Sequence, residues 1–314
     1  MPMLSRIAES LFWIGRYVER ADDTARLLDA FLHRVLEDPW ADEDLECRAL
    51  LDILGVPAPA GTRHDTASVM RTLALDEQAP SAIAGAIGAA RENARGARDA
   101  ISSEMWQCLN VTWRTLAEKR RAANRLGPNI FLDYVRERTA MFSGLAESTL
   151  SQDDGWHFLV LGRSLERADM TARLLSVQLF AGDQPVTWTT VLSACGGYEA
   201  FLHSEGGVVD RRRAVRFLML ERRFPRSVLH SLSTAERCLS LLSRDAARDP
   251  AADPARRVVG QARTALEYAD TELLVRDLGE HLVRIQNACA SASMAVAQRI
   301  FTSAPPLTWA HESV

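Results

Sequence analysis

The sequence predicts an all-α protein, and three observations support this prediction. Apolar residues recur at helical spacing along almost the whole chain. Strict polar–apolar alternation rich in β-branched residues, which is typical of strands, is missing from the sequence. A 14-residue segment occurs twice, at residues 15–28 and 162–175. We therefore expect a multi-helix bundle made of two diverged, pseudo-two-fold-related helical repeats.

Length and composition bound the class of protein. The chain has 314 residues, 47% of them hydrophobic, which is enough to bury a sizeable core without stabilising disulfides or metal ions. The five cysteines are far apart and form no C-x-x-C pair, so a reducing cytoplasm is the expected compartment. The net charge is −4 with both signs interspersed, and no stretch is apolar enough to span a bilayer. We expect neither a nucleic-acid partner nor a membrane partner.

Glycine, proline and aspartate clusters divide the chain into helices of roughly 10 to 30 residues. These predicted breaks fall at residues 55–61, 127–129, 152–155, 182–185, 196–197, 206–207 and 249–254.

The internal repeat sets the domain organisation. GRYVERADDTARLL and GRSLERADMTARLL are identical at eleven of fourteen positions, at an offset of 147 residues. A weaker match follows in the same order, between residues 71–83 and 216–228. Two matches at nearly one offset predict a duplicated unit of roughly 150 residues. We assign residues 1–150 to the first repeat and residues 151–314 to the second repeat with a C-terminal tail.

Each copy of the repeated segment places charges in one stripe on its helix. At about 100° per residue, Glu19, Asp22 and Arg26 fall within an arc of about 60° that also contains Gly15. The second copy repeats this stripe with Gly162, Glu166, Asp169 and Arg173. Two carboxylates at positions i and i+3 repel, so nearby cations are expected to neutralise them.

A third segment, residues 90–110, is expected to be helical and to carry a basic stripe. On a continuous helix Arg91, Arg95, Arg98 and Ser102 would share one face. This stripe could match the acidic stripes of the repeated segment.

The stripes have two interpretations. They can form buried salt-bridge networks that fix helix register, as arginine and glutamate do in helical bundles. Alternatively they line a polar pocket between the halves, in which the arginines take an anionic group and the carboxylates take an amine or a metal. In that pocket Glu19 and Glu166 are the candidate catalytic acid and base. Arg20 and Arg167 lie about 100° around each helix and could brace neighbouring helices.

Metal and cofactor chemistry have little support in the sequence. The seven histidines show no paired spacing and no Glu-x-x-His motif occurs, so we predict no metal and no cofactor. Asp22 and Asp23 resemble part of an Asp-rich magnesium motif, but Met170 replaces the second aspartate in the other copy. Neither a phosphate loop nor a nucleophile elbow is found.

The ordered set of motifs resembles the bacterial alpha-E domain family, a helical domain with a Glu-Arg motif. The resemblance rests on residues 3–29, 90–110, 162–175 and 217–232 and covers essentially the whole chain. It implies that Glu19, Arg20, Glu166 and Arg167 are the motif residues. It also implies a cytoplasmic bacterial protein encoded beside, or fused to, an ATP-grasp ligase-like protein and often a transglutaminase-like peptidase.

Three functional hypotheses follow. The first is an accessory subunit of an ATP-grasp amide-bond ligase that binds a peptide or amino-acid substrate between the repeats. The second is a stand-alone enzyme with Glu19 and Glu166 as acid and base. The third is a purely structural interaction module. For the first, the candidate ligand-binding residues are Glu19, Arg20, Asp22, Arg26, Arg91, Arg95, Arg98, Glu166, Arg167, Asp169 and Arg173.

Overall fold

A computed structural model describes residues 5–37, 42–59, 61–181, 185–242 and 253–301. These ranges contain fourteen α-helices and no strand, which confirms the predicted all-α class. The first half holds α1 Ser5–Glu37, α2 Glu43–Ile53, α3 Thr66–Met70, α4 Ile83–Gly96, α5 Ser103–Leu126 and α6 Asn129–Thr149. A π-helical turn, Arg71–Leu75, continues α3, and a 3₁₀ turn, Arg98–Ala100, follows α4.

The second half contains eight of these helices. They are α7 Asp154–Ala181, α8 Pro185–Ala194, α9 Tyr198–Glu205, α10 Arg211–Leu220, α11 Val228–Leu242, α12 Pro254–Glu267, α13 Thr271–Arg276 and α14 Leu278–Val296. A π-helical turn, Ala297–Phe301, continues α14. The predicted breaks at residues 182–185 and 249–254 fall largely outside the described residues, and so does the tail after Phe301.

Local side chains explain where many helices begin and end. The carboxylates of Asp42, Asp210 and Asp253 accept hydrogen bonds from backbone N–H groups in the first turns of α2, α10 and α12. Gly127 ends α5 at a φ of 109°, a conformation that favours glycine. Capping residues and glycines therefore set most boundaries that the sequence predicts.

The prediction of one continuous helix over residues 90–110 is wrong. Helix α4 ends at Gly96, and α5 begins only after Ser102. The Ser102 hydroxyl caps α5 by accepting a hydrogen bond from the Met105 N–H at 3.2 Å. Because Arg98 and Ser102 lie in the connection, the four residues do not share one helix face.

The two repeated segments lie on the central helices, α1 and α7, which pack against each other. Helix α1 also packs against α4 and α6, and α5 packs on that pair. In the second half, α7 packs against α11 and α14, and α12 packs on that pair. Each motif helix is therefore enclosed by helices of its own half and by the other motif helix.

Burial around this pair produces one hydrophobic core. It draws on both halves, and the side chains of Leu11, Ile14, Leu161 and Leu165 on the motif helices are fully enclosed. All five cysteines are free thiols in buried positions. None of the described helices combines the length and the hydropathy that crossing a bilayer requires.

Candidate functional site

Two glycines bring the motif helices into backbone contact. A Cβ atom added at Gly15 would lie 2.1 Å from the carbonyl oxygen of Leu159 on α7. A Cβ atom added at Gly162 would lie 2.1 Å from the carbonyl oxygen of Phe12 on α1. Only glycine fits at either position without moving a backbone. The repeated glycine of each copy therefore allows the close crossing of α1 and α7.

The ion pairs beyond this crossing show the relative direction of the helices. Paired residues of α1 and α7 are 146 to 150 positions apart in sequence. At the crossing, Gly15 meets Leu159 and Gly162 meets Phe12. About one to two turns further along both helices, Glu19 meets Arg167 and Arg20 meets Glu166, so contacts advance in the same direction along both helices. Helices α1 and α7 are therefore parallel where their motifs meet.

Glu166 on α7 is held by two arginines of α1. Its side chain is 1% exposed, and Nε of Arg16 donates to its Oε2 at 2.6 Å. Nε of Arg20 donates to Oε1 at 2.6 Å, and a second N–H of Arg20 reaches Oε2 at 3.1 Å. Burial opposes ionisation of Glu166, but the guanidinium groups of Arg16 and Arg20 outweigh it and lower its pKa.

Glu19 on α1 is held in the reciprocal way. Nε of Arg167 on α7 donates to Oε1 of Glu19 at 2.6 Å. Arg226, in the connection between α10 and α11, reaches the same oxygen at 2.9 Å. Burial raises the pKa of Glu19, but the charges of Arg167 and Arg226 lower it to about 2. Each motif arginine thus binds the motif glutamate of the other helix.

The aspartates of the first motif converge on Arg226. Its guanidinium forms ion pairs with Asp22 and Asp23 as well as with Glu19. Asp22 also accepts hydrogen bonds from Nε of Arg26 and from the Thr139 hydroxyl, both at 2.9 Å. Burial lowers the pKa of Arg226, but the three carboxylates outweigh it and raise the pKa. Arg226 is therefore the central cation of this cluster.

Asp23 is the least satisfied member of the cluster. It is 6% exposed, and its Oδ2 atom is buried without a hydrogen-bond partner among the described residues. Burial and the neighbouring Glu19 and Asp22 carboxylates raise its pKa well above the ordinary value of 3.8, although Arg226 opposes them.

The second copy lacks this cluster. Met170 in the second copy aligns with Asp23 in the first. Ser81 in the first copy aligns with Arg226 in the second. Asp169 pairs with Arg173 at 2.9 Å, and burial raises its pKa against the lowering charge of Arg173. The two copies therefore share the glutamate–arginine pairs but not the Asp23–Arg226 bridge.

The first-copy carboxylates have a spacing that could hold a metal ion. Oxygen atoms of Glu19, Asp22 and Asp23 lie within 4.8 Å of one another. Arg167 and Arg26 pair with Glu19 and Asp22, and the guanidinium of Arg226 contacts all three residues in addition. A metal would have to displace this side chain.

The basic residues of the third segment lie apart from the motif pairs. Arg91 donates to Asn110 Oδ1 at 2.9 Å and also pairs with Glu92. Arg95 pairs with Glu92 at 2.8 Å, and Arg98 stacks over Trp106 with 4.8 Å between its guanidinium carbon and the ring centroid. The carboxylates of the motif are instead paired with arginines outside this segment, namely Arg16, Arg20, Arg26, Arg167, Arg173 and Arg226.

A polar cavity of about 320 Å³ lies two turns beyond the motif pairs, between the two halves. The first half contributes arginines, an aspartate and a histidine, and α8 contributes three hydroxyls. Its lining residues are Arg26, Asp29, Ala30, His33, Arg34, Arg136, Thr189, Thr190 and Ser193. Arg136 pairs with Asp29 at 2.8 Å, which joins α6 to α1 at the cavity wall.

Sequence reasoning singled out Arg26 in this cavity but missed the other lining residues and Arg226. The cavity residues come from three helices distant in sequence, and no local motif connects them. The sequence does contain a signal for Arg226. This residue lies in the weaker repeat match, and the first copy has Ser81 at the aligned position. The Asp23/Met170 difference is the complementary signal in the acidic motif.

The fold and the crossed pairs define an all-helical protein whose Glu-Arg motif joins two central helices. A family model described as a predicted alpha-helical domain with a conserved ER motif, Alpha-E, matches residues 3–301. The chain belongs to the Alpha-E family.

Proteins similar to this chain occur in mycobacteria. An uncharacterized protein of Mycobacterium bovis is 26% identical over 257 residues, which cover 72% of this chain and 28% of the relative. An uncharacterized protein of Mycobacterium tuberculosis gives the same values. The chain therefore spans less than a third of the length of these relatives. No solved structure matches this chain significantly.

Proposed function

We propose that this chain is a non-catalytic helical partner of an ATP-grasp amide-bond ligase in a bacterial peptide synthesis or peptide-modification system. The observation that carries the non-catalytic role is the state of the motif glutamates. Both glutamates are almost fully buried, and each forms ion pairs with two arginines. The pKa of each glutamate is lowered. A general acid or base has to exchange protons near the working pH, so these groups are poorly suited to that role.

The ligase partnership is supported by family membership and by the architecture of the relatives. The resemblance to the alpha-E family implies an ATP-grasp ligase-like neighbour and often a transglutaminase-like peptidase. In the mycobacterial relatives the matched segment makes up only 28% of the chain. A domain carried within a longer polypeptide is suited to work on or with its neighbouring domains. We place the partnership in the bacterial cytoplasm.

The proposal includes two diverged repeats related by a pseudo-two-fold axis that runs along α1 and α7. Reciprocal contacts support it, since Gly15 and Gly162 approach equivalent carbonyls and Arg20 and Arg167 bind equivalent glutamates. The order of packing is also repeated. Helices α4 and α6 pack beside α1, whereas α11 and α14 pack beside α7.

The cavity between the halves is the proposed binding site for a peptide or amino-acid substrate. Its guanidinium and hydroxyl groups can donate to a carboxylate, and Asp29 can accept from an amine. Arg26 links it to the acidic cluster through Asp22. Ligand binding there would act on the interface between the repeats without using the motif glutamates as reagents.

A second candidate, a purely structural interaction module, is favoured by the closed pairing of the motif charges. In that case the cavity would bind no substrate, and only association with the ligase would matter. The two candidates differ in whether filling the cavity impairs the ligase reaction.

The experiment is reconstitution of the chain with the ATP-grasp ligase-like protein of its host. We expect the two proteins to co-purify and the ligase turnover to rise when the chain is added. Ser193→Trp, which fills the exposed mouth of the cavity, should retain binding and lose the stimulation. Ser204→Trp, at an exposed position of α9 away from the cavity, is the matched control.

Either negative result is informative. If the purified chain neither binds the ligase nor changes its turnover, the partnership is wrong. If Ser193→Trp stimulates turnover as well as wild type, the structural module replaces the substrate-binding hypothesis.

A further inference from the structure

An open groove of about 1030 Å³ lies in the first half. Its floor is apolar and includes Met70, Leu75 and Phe131, while charged and amide side chains lie along its rim. The lining residues are Thr66, Ala67, Met70, Arg71, Thr72, Leu75, Asp76, Arg120, Ala123, Asn124, Pro128 and Phe131. One wall is α3 with its π-helical turn, and the other is the α5–α6 hairpin.

Two arginines on the rim are available for a partner. Arg71 and Arg120 are exposed, and neither forms an ion pair within 4.0 Å among the residues that the structure describes. Asp76 is the acidic residue of the lining, and it receives a backbone hydrogen bond from Gln78. The rim therefore carries a net positive charge above an apolar floor.

The second half indicates what such a groove accommodates. Residues 71–83 match residues 216–228, so α3 with its π-helical turn corresponds to α10, and the α5–α6 hairpin corresponds to α12 and α14. Between α12 and α14 the chain forms an additional short helix, α13, which packs against both α10 and α14. In the first half only Gly127 and Pro128 separate the two helices of the hairpin.

The contacts of α13 define the chemistry of a helix in this position. Leu274 is fully buried, and Glu272 forms an ion pair with Arg212 of α10. Arg211 of α10 donates to the carbonyl oxygen of Val275 at 3.5 Å. A buried leucine and an acidic side chain facing arginine are the features that seat this helix.

We propose that the first-half groove binds a short amphipathic helix of a partner polypeptide, with a leucine-like anchor on the floor and acidic residues facing Arg71 and Arg120. This is helix-in-groove recognition, in which apolar anchors supply affinity and rim charges supply orientation. The comparison with α13 rests on the duplication included in the proposed function. None of the residues that line the groove lines the cavity between the halves.

The test uses a synthetic peptide with the sequence of residues 269–278, ADTELLVRDL, held helical by a side-chain staple because isolated short helices are marginal in water. Its binding to the full chain is measured by fluorescence anisotropy. We expect saturable binding that weakens at least about tenfold in the Arg71→Glu/Arg120→Glu double variant, because the rim charges are reversed. Arg121→Glu, at an exposed position of α5 outside the groove, should bind like wild type.

The same assay also tests a competing occupant of the groove. Titration of dodecanoate tests whether the groove prefers a small anionic amphiphile. Absence of peptide binding, equal binding by wild type and the double variant, or displacement of the peptide by dodecanoate at lower concentration than unlabelled peptide would overturn the proposal. Because the ligase is not used, these outcomes are independent of the reconstitution experiment.

Discussion

At the scale of single residues, the Glu-Arg motif is a buried ionic connection between two helices. The Glu19 and Glu166 carboxylates accept charge-assisted hydrogen bonds of 2.6 Å from the opposite helix. Replacing a buried pair by apolar residues can be neutral, but removing one partner leaves an uncompensated charge. The motif therefore makes the position of each helix depend on the other.

Glu19→Ala is predicted to destabilise the fold by about 3 to 5 kcal/mol, because Arg167 and Arg226 lose a buried counter-charge. Urea unfolding monitored by circular dichroism measures the change. Exposed Glu137→Ala on α6 is the control and should change stability by less than about 0.5 kcal/mol. A small effect at Glu19 would mean that its pairs contribute little to the native state.

Ionisation of Asp23 is predicted to lower the free energy of unfolding as pH rises. Its pKa is higher in the folded chain than the ordinary 3.8, so the folded state binds more protons than the unfolded state above pH 3.8. Stability from this group therefore falls as pH increases through the raised pKa. Asp23→Asn removes this titration, and its unfolding free energy relative to wild type should increase from pH 4 upward. A constant difference across this range would contradict the raised pKa.

At the scale of helices, the crossing of α1 and α7 depends on the absence of two Cβ atoms. Gly15→Ala and Gly162→Ala are each predicted to destabilise the chain by about 3 kcal/mol, because the added methyl group meets a backbone carbonyl that cannot rotate away. Thermal and urea unfolding measure both variants.

The matched control is Gly144→Ala near the C-terminal end of α6, where an added Cβ atom would have no atom within 4 Å. This substitution should stabilise by about 0.5 to 1 kcal/mol, since alanine loses less entropy than glycine in a helix. If all three variants behave alike, helix propensity rather than close approach decides the effect.

Helix existence was predictable from sequence, whereas interruptions inside apolar periodic segments were not. The turn at residues 127–129 and the glycine turns of the second half follow from local chemistry and are found as predicted. The break at residues 97–102 was missed because Ala97 and Ile101 continue the apolar pattern, while a single serine caps the next helix. The π-helical turn after α3 has no sequence signal that we recognise.

At the scale of the whole molecule, the Asp23–Arg226 ion pair is found with the first motif copy only, and substitutions can introduce its equivalent at the second copy. Met170→Asp alone should destabilise the chain, because a buried carboxylate would lack a cation. Adding Ser81→Arg supplies the counterpart of Arg226, and the double-mutant cycle should give a favourable coupling of about 1 to 3 kcal/mol. Gln78→Arg, at an exposed position nearby, is the positional control. Zero coupling at Ser81 would argue against equivalent geometry of the halves.

The candidate site was predictable only in part, because pairing across the molecule depends on tertiary packing. Helical spacing placed Glu19, Asp22 and Arg26 on one stripe, and the structure shows Arg26 bonded to Asp22. The cations that hold the glutamates come from the opposite helix and from Arg226, which lies more than 200 residues from Asp22. Spacing within one helix carries no information on such partners.

The buried cysteines make the folded chain resistant to thiol chemistry. Burial raises the pKa of Cys47 and Cys238 to about 11 and that of Cys195 to about 12, so little thiolate forms at neutral pH. Alkylating reagents will therefore modify each thiol mainly when its surroundings open. Cys47 on α2, Cys195 after α8 and Cys289 on α14 lie in different parts of the bundle. Pulsed alkylation followed by peptide mass spectrometry can thus rank the order in which those parts separate, with the natural sequence and no introduced label.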